Sequence, residues 1–159
     1  MTRWMTTHNR QRPILFAYDG SEQARAAIRE AAAQLRHSSR ALVTTVWQPS
    51  ATLPFVSSAG LPSDIEDSIR QEAAKVAEAG AALARSVGFD ATAIVETGVP
   101  VWSGIVQAAE HHDAGLIVMG SHGRTGLTRA LMGSVATAVS SHSSRPVLIV
   151  HAAPAGRAA

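Results

Sequence analysis

The 159-residue chain is predicted to be an α/β protein, with an open, doubly wound, five-stranded parallel sheet in the order 3-2-1-4-5 and helices on both faces. Three observations predict it. Five short apolar runs recur along the chain, stretches of helical period separate them, and most runs are apolar at every position rather than at alternate ones. Continuous apolarity suits strands buried on both faces. Right-handed strand–helix–strand crossovers then leave little but an open parallel sheet between two helix layers.

The first run, residues 14–18, is the first strand. From Ser21, the apolar Ala24, Ala27, Ile28, Ala31 and Leu35 recur at intervals of three and four, which predicts a helix with one inward stripe ending near Ser38. Residues 41–47 form the second strand. Residues 48–62 are rich in Ser, Ala and Pro and long for a connection, so they are expected to be either a mobile lid or partly disordered surface. Ser63 with Glu66 reads as a capping box, and Ile65, Ile69, Ala73, Val76 and Ala84 carry a helical stripe toward Gly88. The third strand is 91–96. Pro100 suits the first turn of a third helix over 100–111, with Ile105, Val106 and Ala109 inward. A fourth strand at 115–119, a fourth helix at 134–143 with Val135, Ala138, Val139 and His142 on one side, and a last strand at 146–150 complete the pattern. Residues 13–151 are thus one domain, with tails at 1–12 and 152–159.

Composition narrows the function. The chain is 46% hydrophobic and 16% charged, enough for one core. It has no cysteine, which removes zinc ribbons, disulfide scaffolds and cysteine nucleophiles. No run of eighteen apolar residues occurs, and the leading residues lack a signal-peptide core, so the protein is expected to be cytoplasmic, neither exported nor membrane-spanning. Of the 14 basic residues, Arg3, Arg10, Arg12 and Arg157 lie in the tails; the remaining 10 face 12 acidic residues, leaving the body formally at −2. With only 4% aromatic residues besides, nucleic-acid binding is not expected.

Sheets of this order bind ligands outside the carboxyl ends of the strands, where the order reverses, so the loops after Tyr18 and Met119 should flank one crevice. The second of these loops contains Gly120, Gly123, Gly126 and Gly133, followed by Ser134 at a helix start. Glycines let backbone N–H groups approach an anion and reach positive φ to form concave nests. The helix start adds free N–H groups and a favourable dipole, and Arg124 and Thr125 can contact outer phosphates.

The pattern Gly120-x2-Gly123-x9-Gly133-Ser134 joins three others: the Asp19-Gly20-Ser21 turn after the first strand, Gly98-x-Pro100 after the third, and the closing Arg145-Pro146-Val147-Leu148-Ile149-Val150. Together, over residues 13–150, they resemble the universal stress protein family, in the subgroup whose glycine pattern accompanies ATP binding. The resemblance implies an adenine-nucleotide-binding fold in which Asp19 and Val46, with Ala17 before them, lie at the adenosine end. Met119 and Gly120 would lie by base and ribose, and Gly123, Arg124, Gly133, Ser134 and Val135 by the phosphates, with Mg²⁺ bridging phosphate oxygens. It also implies a homodimer paired through the last strand, Val147–Val150, whose uncharged edge would otherwise stay unpaired. Three positions depart from the family pattern: Thr45 stands where many members have histidine, Gly115 where aspartate often opens the fourth strand, and Ala17-Tyr18 where a small or proline-containing pair is common.

Other residues have plainer readings. Asp19 also suits an Asx-turn before the first helix. His111 and His112 point about 100° apart on a helix, a poor arrangement for chelation. His122 can face phosphate or solvent, and Trp47 and Trp102 suit packing. Ser121-His122 and Ser141-His142 lack a nucleophile elbow. Lys75 is the only lysine, far from any glycine loop, which excludes a Walker-A site, and a receiver domain lacks its lysine for the same reason. No G-x-G-x-x-G follows the first strand. Together with these exclusions, the resemblance implies an ATP-dependent regulatory or stress-response switch, in which the loop from Arg124 to Met132 changes contacts. The alternatives are a slow ATPase or nucleotide-transferring enzyme on the same scaffold, and a nucleotide-free interaction module.

Overall fold

A computed structural model describes residues 12–35, 39–49, 61–124 and 132–152. Five strands, β1 (Ile14–Ala17), β2 (Arg40–Trp47), β3 (Asp90–Thr97), β4 (Leu116–Gly120) and β5 (Val147–Val150), alternate with four helices, α1 (Glu22–Gln34), α2 (Ser63–Ser86), α3 (Val101–His111) and α4 (Ser134–His142). The sheet order is β3-β2-β1-β4-β5, and every pairing is parallel. The predicted order and layering are those observed.

The continuous apolarity of β1 has a direct cause. Phe16 points into a layer with α1 and α2, whereas its neighbour Leu15 points into a layer with α3 and α4. They are 1% and 0% exposed, so neither face of the strand meets water. Full burial of each such side chain stabilises the fold by about 1.5–3 kcal/mol.

The helices lie close on the sheet because their inner faces are small. α1 buries Ala24, Ala27, Ile28, Ala31 and Ala32, and α2 buries Ala73, Ala77, Gly80, Ala81 and Ala84. A Cβ on Gly80 would stand 2.6 Å from the Tyr18 ring and 2.8 Å from Val43, so glycine is required by closeness. Gly98 and Gly104 do the same where β3 ends and α3 begins, a Cβ on Gly98 meeting the Gly104 Cα at 2.6 Å.

Several local expectations need correction. α1 stops at Gln34, four residues before Ser38, because Leu35 turns extended and packs against the core while its N–H bonds the Ala31 carbonyl. No capping box opens α2: its N-cap is Pro62, whose carbonyl accepts the N–H groups of Ile65 and Glu66, and Ser63 is already helical. Ile65 and Ile69 are not core residues, being 43% and 38% exposed. Geometry explains this. At about 1.5 Å per residue α2 is roughly 36 Å long, whereas an eight-residue strand spans roughly 26 Å, so the first turns of the helix overhang the carboxyl edge of the sheet. Pro100 is the N-cap of α3 rather than its first helical residue. In α4 the buried pair is Ala136 and Val139, while His142 lies exposed with its ring stacked on Trp102 at 4.3 Å. Arg12 lies against Gly115, where an added Cβ would stand 3.0 Å from the Arg12 Cβ, and pairs with Asp113 at 3.3 Å.

Candidate functional site

At the carboxyl edge the chain leaves β1 toward α1 and leaves β4 toward α4. The two loops diverge there and leave a cleft of about 820 Å³. Ala17, Asp19, Val46, Met119, Gly120, Gly123, Arg124, Gly133, Ser134 and Val135 all line it. Thr125 and the rest of 125–131 lie outside the described residues, as do positions 50–60 of the long connection.

Asp19 joins the two loops. Its Oδ1 accepts the Ser21 N–H at 2.9 Å, the Asx-turn expected from sequence, and Ser21 Oγ caps α1 by accepting the Ala24 N–H at 3.1 Å. Its Oδ2 accepts the Arg124 N–H at 3.0 Å, so a residue assigned to the adenosine end rests against residues assigned to the phosphate end.

The glycines serve closeness rather than unusual torsion. The positive-φ glycines among the described residues are Gly20 and Gly88, so Gly120, Gly123 and Gly133 do not form the positive-φ nests expected of them. A Cβ on Gly120 would meet the Gln23 backbone at 2.9 Å, one on Gly123 the Asp19 carboxylate at 2.6 Å, and one on Gly133 the Ser121 carbonyl oxygen at 3.0 Å. The Gly133 N–H donates to that carbonyl at 2.8 Å, and the Ser121 N–H donates to Val150 at 2.9 Å.

Gly133 is the N-cap of α4, with extended backbone at φ −62° and ψ 155°, and no side-chain capping bond is found there among the described residues. Thr137 is the residue whose N–H returns to the Gly133 carbonyl, at 3.0 Å. The N–H groups of Ser134, Val135 and Ala136 therefore have no partner within the helix, and the three residues line the cleft, the usual setting for an anion at a helix start. Val46, Met119, Val135, Val101 and Ile105 line an apolar part of the same cleft. The combination of apolar walls with one cluster of backbone donors suits an organic anion.

Sequence reasoning missed one wall. Ile69, Glu72 and Val76 of α2 border the cleft, because the overhanging helix reaches past the sheet. The signal was present in Ile65 and Ile69, but a period of 3.6 does not distinguish a core from a cleft rim. Thr45 also lines the cleft; its hydroxyl donates to the Tyr18 carbonyl at 2.8 Å and ties the end of β1 to β2. His122 points neither to a partner nor to open solvent at one ring nitrogen: Nδ1 lies 3.0 Å from Ser121 Oγ, and Nε2 is buried without a hydrogen bond. His112 stands 3.4 Å from Glu96, and no group of three His, Cys, Asp or Glu side chains among the described residues could hold a metal. A Mg²⁺ ion would therefore draw most of its ligands from phosphate and water.

Such an arrangement defines a doubly wound α/β domain with a ligand-sized cleft at its switch point. Residues 11–151 match the model of the universal stress protein family, and the chain belongs to that family. It is 44% identical over 64 residues to universal stress protein MJ0577 of Methanocaldococcus jannaschii, covering 40% of this chain and 39% of that one. It is 37% identical over 102 residues to MJ0531 of the same organism, covering 61% and 58%. These sequence matches thus span less than two thirds of either relative. The solved structure of MJ0577 superposes with a TM-score of 0.74 at 27% identity, covering 91% of this chain and 98% of that one. That of the Archaeoglobus fulgidus universal stress protein in complex with dAMP gives 0.55 at 26%, covering 86% and 95%. No helix among the described residues is long and apolar enough to cross a membrane.

Proposed function

We propose that the cleft binds an adenine nucleotide, ATP with Mg²⁺, and that occupancy switches the contacts of the loop between Arg124 and Met132. The observation that carries this is the open first turn of α4, whose three N–H groups sit beside an apolar wall in one cleft. The Archaeoglobus fulgidus relative solved with dAMP supports an adenine nucleotide as the ligand class. Val46 and Met119 pack against the base, with Ala17 and Gly120 beneath it and the ribose. The amides of Ser134 and Val135 take a phosphate, with Gly133 holding them in place. The bound ion would supply charge neutralisation at the outer phosphates, and Arg124 and Gly123 lie nearest to that end. The protein acts as a homodimer joined through β5, which stands at the sheet edge with β4 as its one partner. Titration calorimetry tests the ligand: heat with ATP, and none with GTP at equal concentration, is expected, and silence with both at millimolar nucleotide would refute it.

A further inference from the structure

Thr44 and Thr45 are neighbours on β2 and both are buried, yet their hydroxyls differ. Strand alternation turns the two side chains to opposite faces of the sheet. Thr45 donates its hydroxyl to the Tyr18 carbonyl at 2.8 Å. The Thr44 hydroxyl has no hydrogen-bond partner among the described residues, and at 1% exposure the residue scarcely meets water either. Two other buried polar atoms share this state, Nε2 of His122 and Nε of Arg145, but each of those side chains is engaged through a second nitrogen. Thr44 has one polar side-chain atom, and that atom is unpaired. A buried hydroxyl left so destabilises the fold, whereas a methyl group in its place would not.

Thr44 lines the cleft with Val46, two residues on and on the same face of β2, and with Ala17, its register partner on β1. Ile105 and Met119 belong to the same apolar half. We propose that Thr44 is a specificity-determining residue, whose hydroxyl bonds the inner edge of a nucleobase held against Val46 and Met119. This rests on the nucleotide reading above and deepens it. Phosphate at the α4 amides fixes one end of the nucleotide. The part of adenine farthest from the glycosidic bond, the edge with N1 and the 6-amino group, then reaches deepest into the apolar half. A hydroxyl both donates and accepts, so it can serve either atom, and rotation about the Thr44 Cα–Cβ bond turns it toward the ring. A ring with an apolar inner edge would leave it unpaired.

Thermal unfolding and calorimetry on the wild-type protein, Thr44→Val and Thr44→Ser test this. The ligands are ATP and the triphosphates of 1-deazaadenosine and purine riboside, which lack N1 and the 6-amino group respectively. Thr44→Val is expected to raise the melting temperature of the ligand-free protein by about 2–6 °C, because the unpaired hydroxyl is gone, and yet to weaken ATP binding about threefold to tenfold. Thr44→Ser keeps the hydroxyl and should hold ATP affinity within about twofold of the wild type, although its smaller side chain lowers the melting temperature. The loss in Thr44→Val should shrink to less than about twofold with one of the two analogues, the one without the atom that the hydroxyl bonds. Unchanged ATP affinity in Thr44→Val overturns the inference. So does an equal loss for ATP and both analogues, the mark of altered packing, and so does a fall in the melting temperature of Thr44→Val. Each of these results leaves nucleotide binding standing. Failure of the wild type to bind ATP at millimolar concentration would instead overturn the nucleotide reading and this inference with it.

Discussion

The carbonyl of Ser121 accepts the N–H of Gly133 at 2.8 Å, so the residue that leaves β4 and the residue that caps α4 are held together whatever path the chain takes between them. The same Ser121 is anchored through its N–H to the end of β5. The open amides of α4 are therefore positioned by the sheet itself.

Gly133→Ala should damage this clamp. Its backbone, at φ −62°, tolerates a side chain, so the cost comes from a Cβ 3.0 Å from the Ser121 oxygen. We expect a loss of about 1–2 kcal/mol in stability and at least about tenfold in ATP affinity, read by thermal unfolding and calorimetry. Unchanged binding would show that the clamp does not position the ligand.

Ser134→Ala separates binding from folding. Ser134 lies after the N-cap Gly133, and no hydrogen bond of its hydroxyl is found among the described residues, so stability should stay within about 0.5 kcal/mol of the wild type. Nucleotide affinity should still fall, by about threefold to tenfold, because the Ser134 hydroxyl is expected to bond the phosphate alongside the helix amides. A drop in melting temperature without a drop in affinity would reverse this assignment.

Thr45→Val keeps the shape and deletes the bond to the Tyr18 carbonyl. The expected cost is about 1–2 kcal/mol, since a buried acceptor loses its side-chain donor. Denaturant titration measures it, and a neutral outcome would mean that the Tyr18 N–H bond to Thr44 is enough to hold β1 against β2.

Gly80→Ala gains about 1 kcal/mol of helix propensity but forces a methyl against the Tyr18 ring and Val43. Overpacking outweighs the gain, and we expect a net loss of about 1–2 kcal/mol, or about 2–8 °C in melting temperature. A rise in melting temperature would show that α2 can move away from the sheet.

Leu148→Glu places a charge in the middle of the edge strand β5. Light scattering at micromolar concentration should give twice the chain mass for the wild type and the single mass for the variant. A monomeric wild type would remove the proposed dimer.

How much of this was legible in advance depends on the range of each interaction. The parallel sheet between two helix layers followed from apolar runs such as 14–18 and 146–150, whose burial on two faces leaves a local signature. Asp19 and Ser134 were placed at a crevice because a parallel sheet puts its loops there. By contrast, the wall formed by Ile69 and Val76 depends on α2 outrunning the strands beneath it, a comparison of lengths between elements. The capping box at Ser63 failed for a related reason, because the chain enters the helix through Pro62.

Primary structure alone was sufficient to specify the sheet, its helices and the loop beside the cleft, because alternation, period and glycine spacing are local properties of neighbouring residues. Folding in three dimensions was needed to reveal that Gly120, Gly123 and Gly133 are small to admit Gln23, Asp19 and Ser121, rather than to reach positive φ. It was needed equally to show that Asp19 lies on Arg124, 105 residues away in sequence. Contacts between distant segments depend on the packing of the whole sheet, and no window along the chain contains both partners.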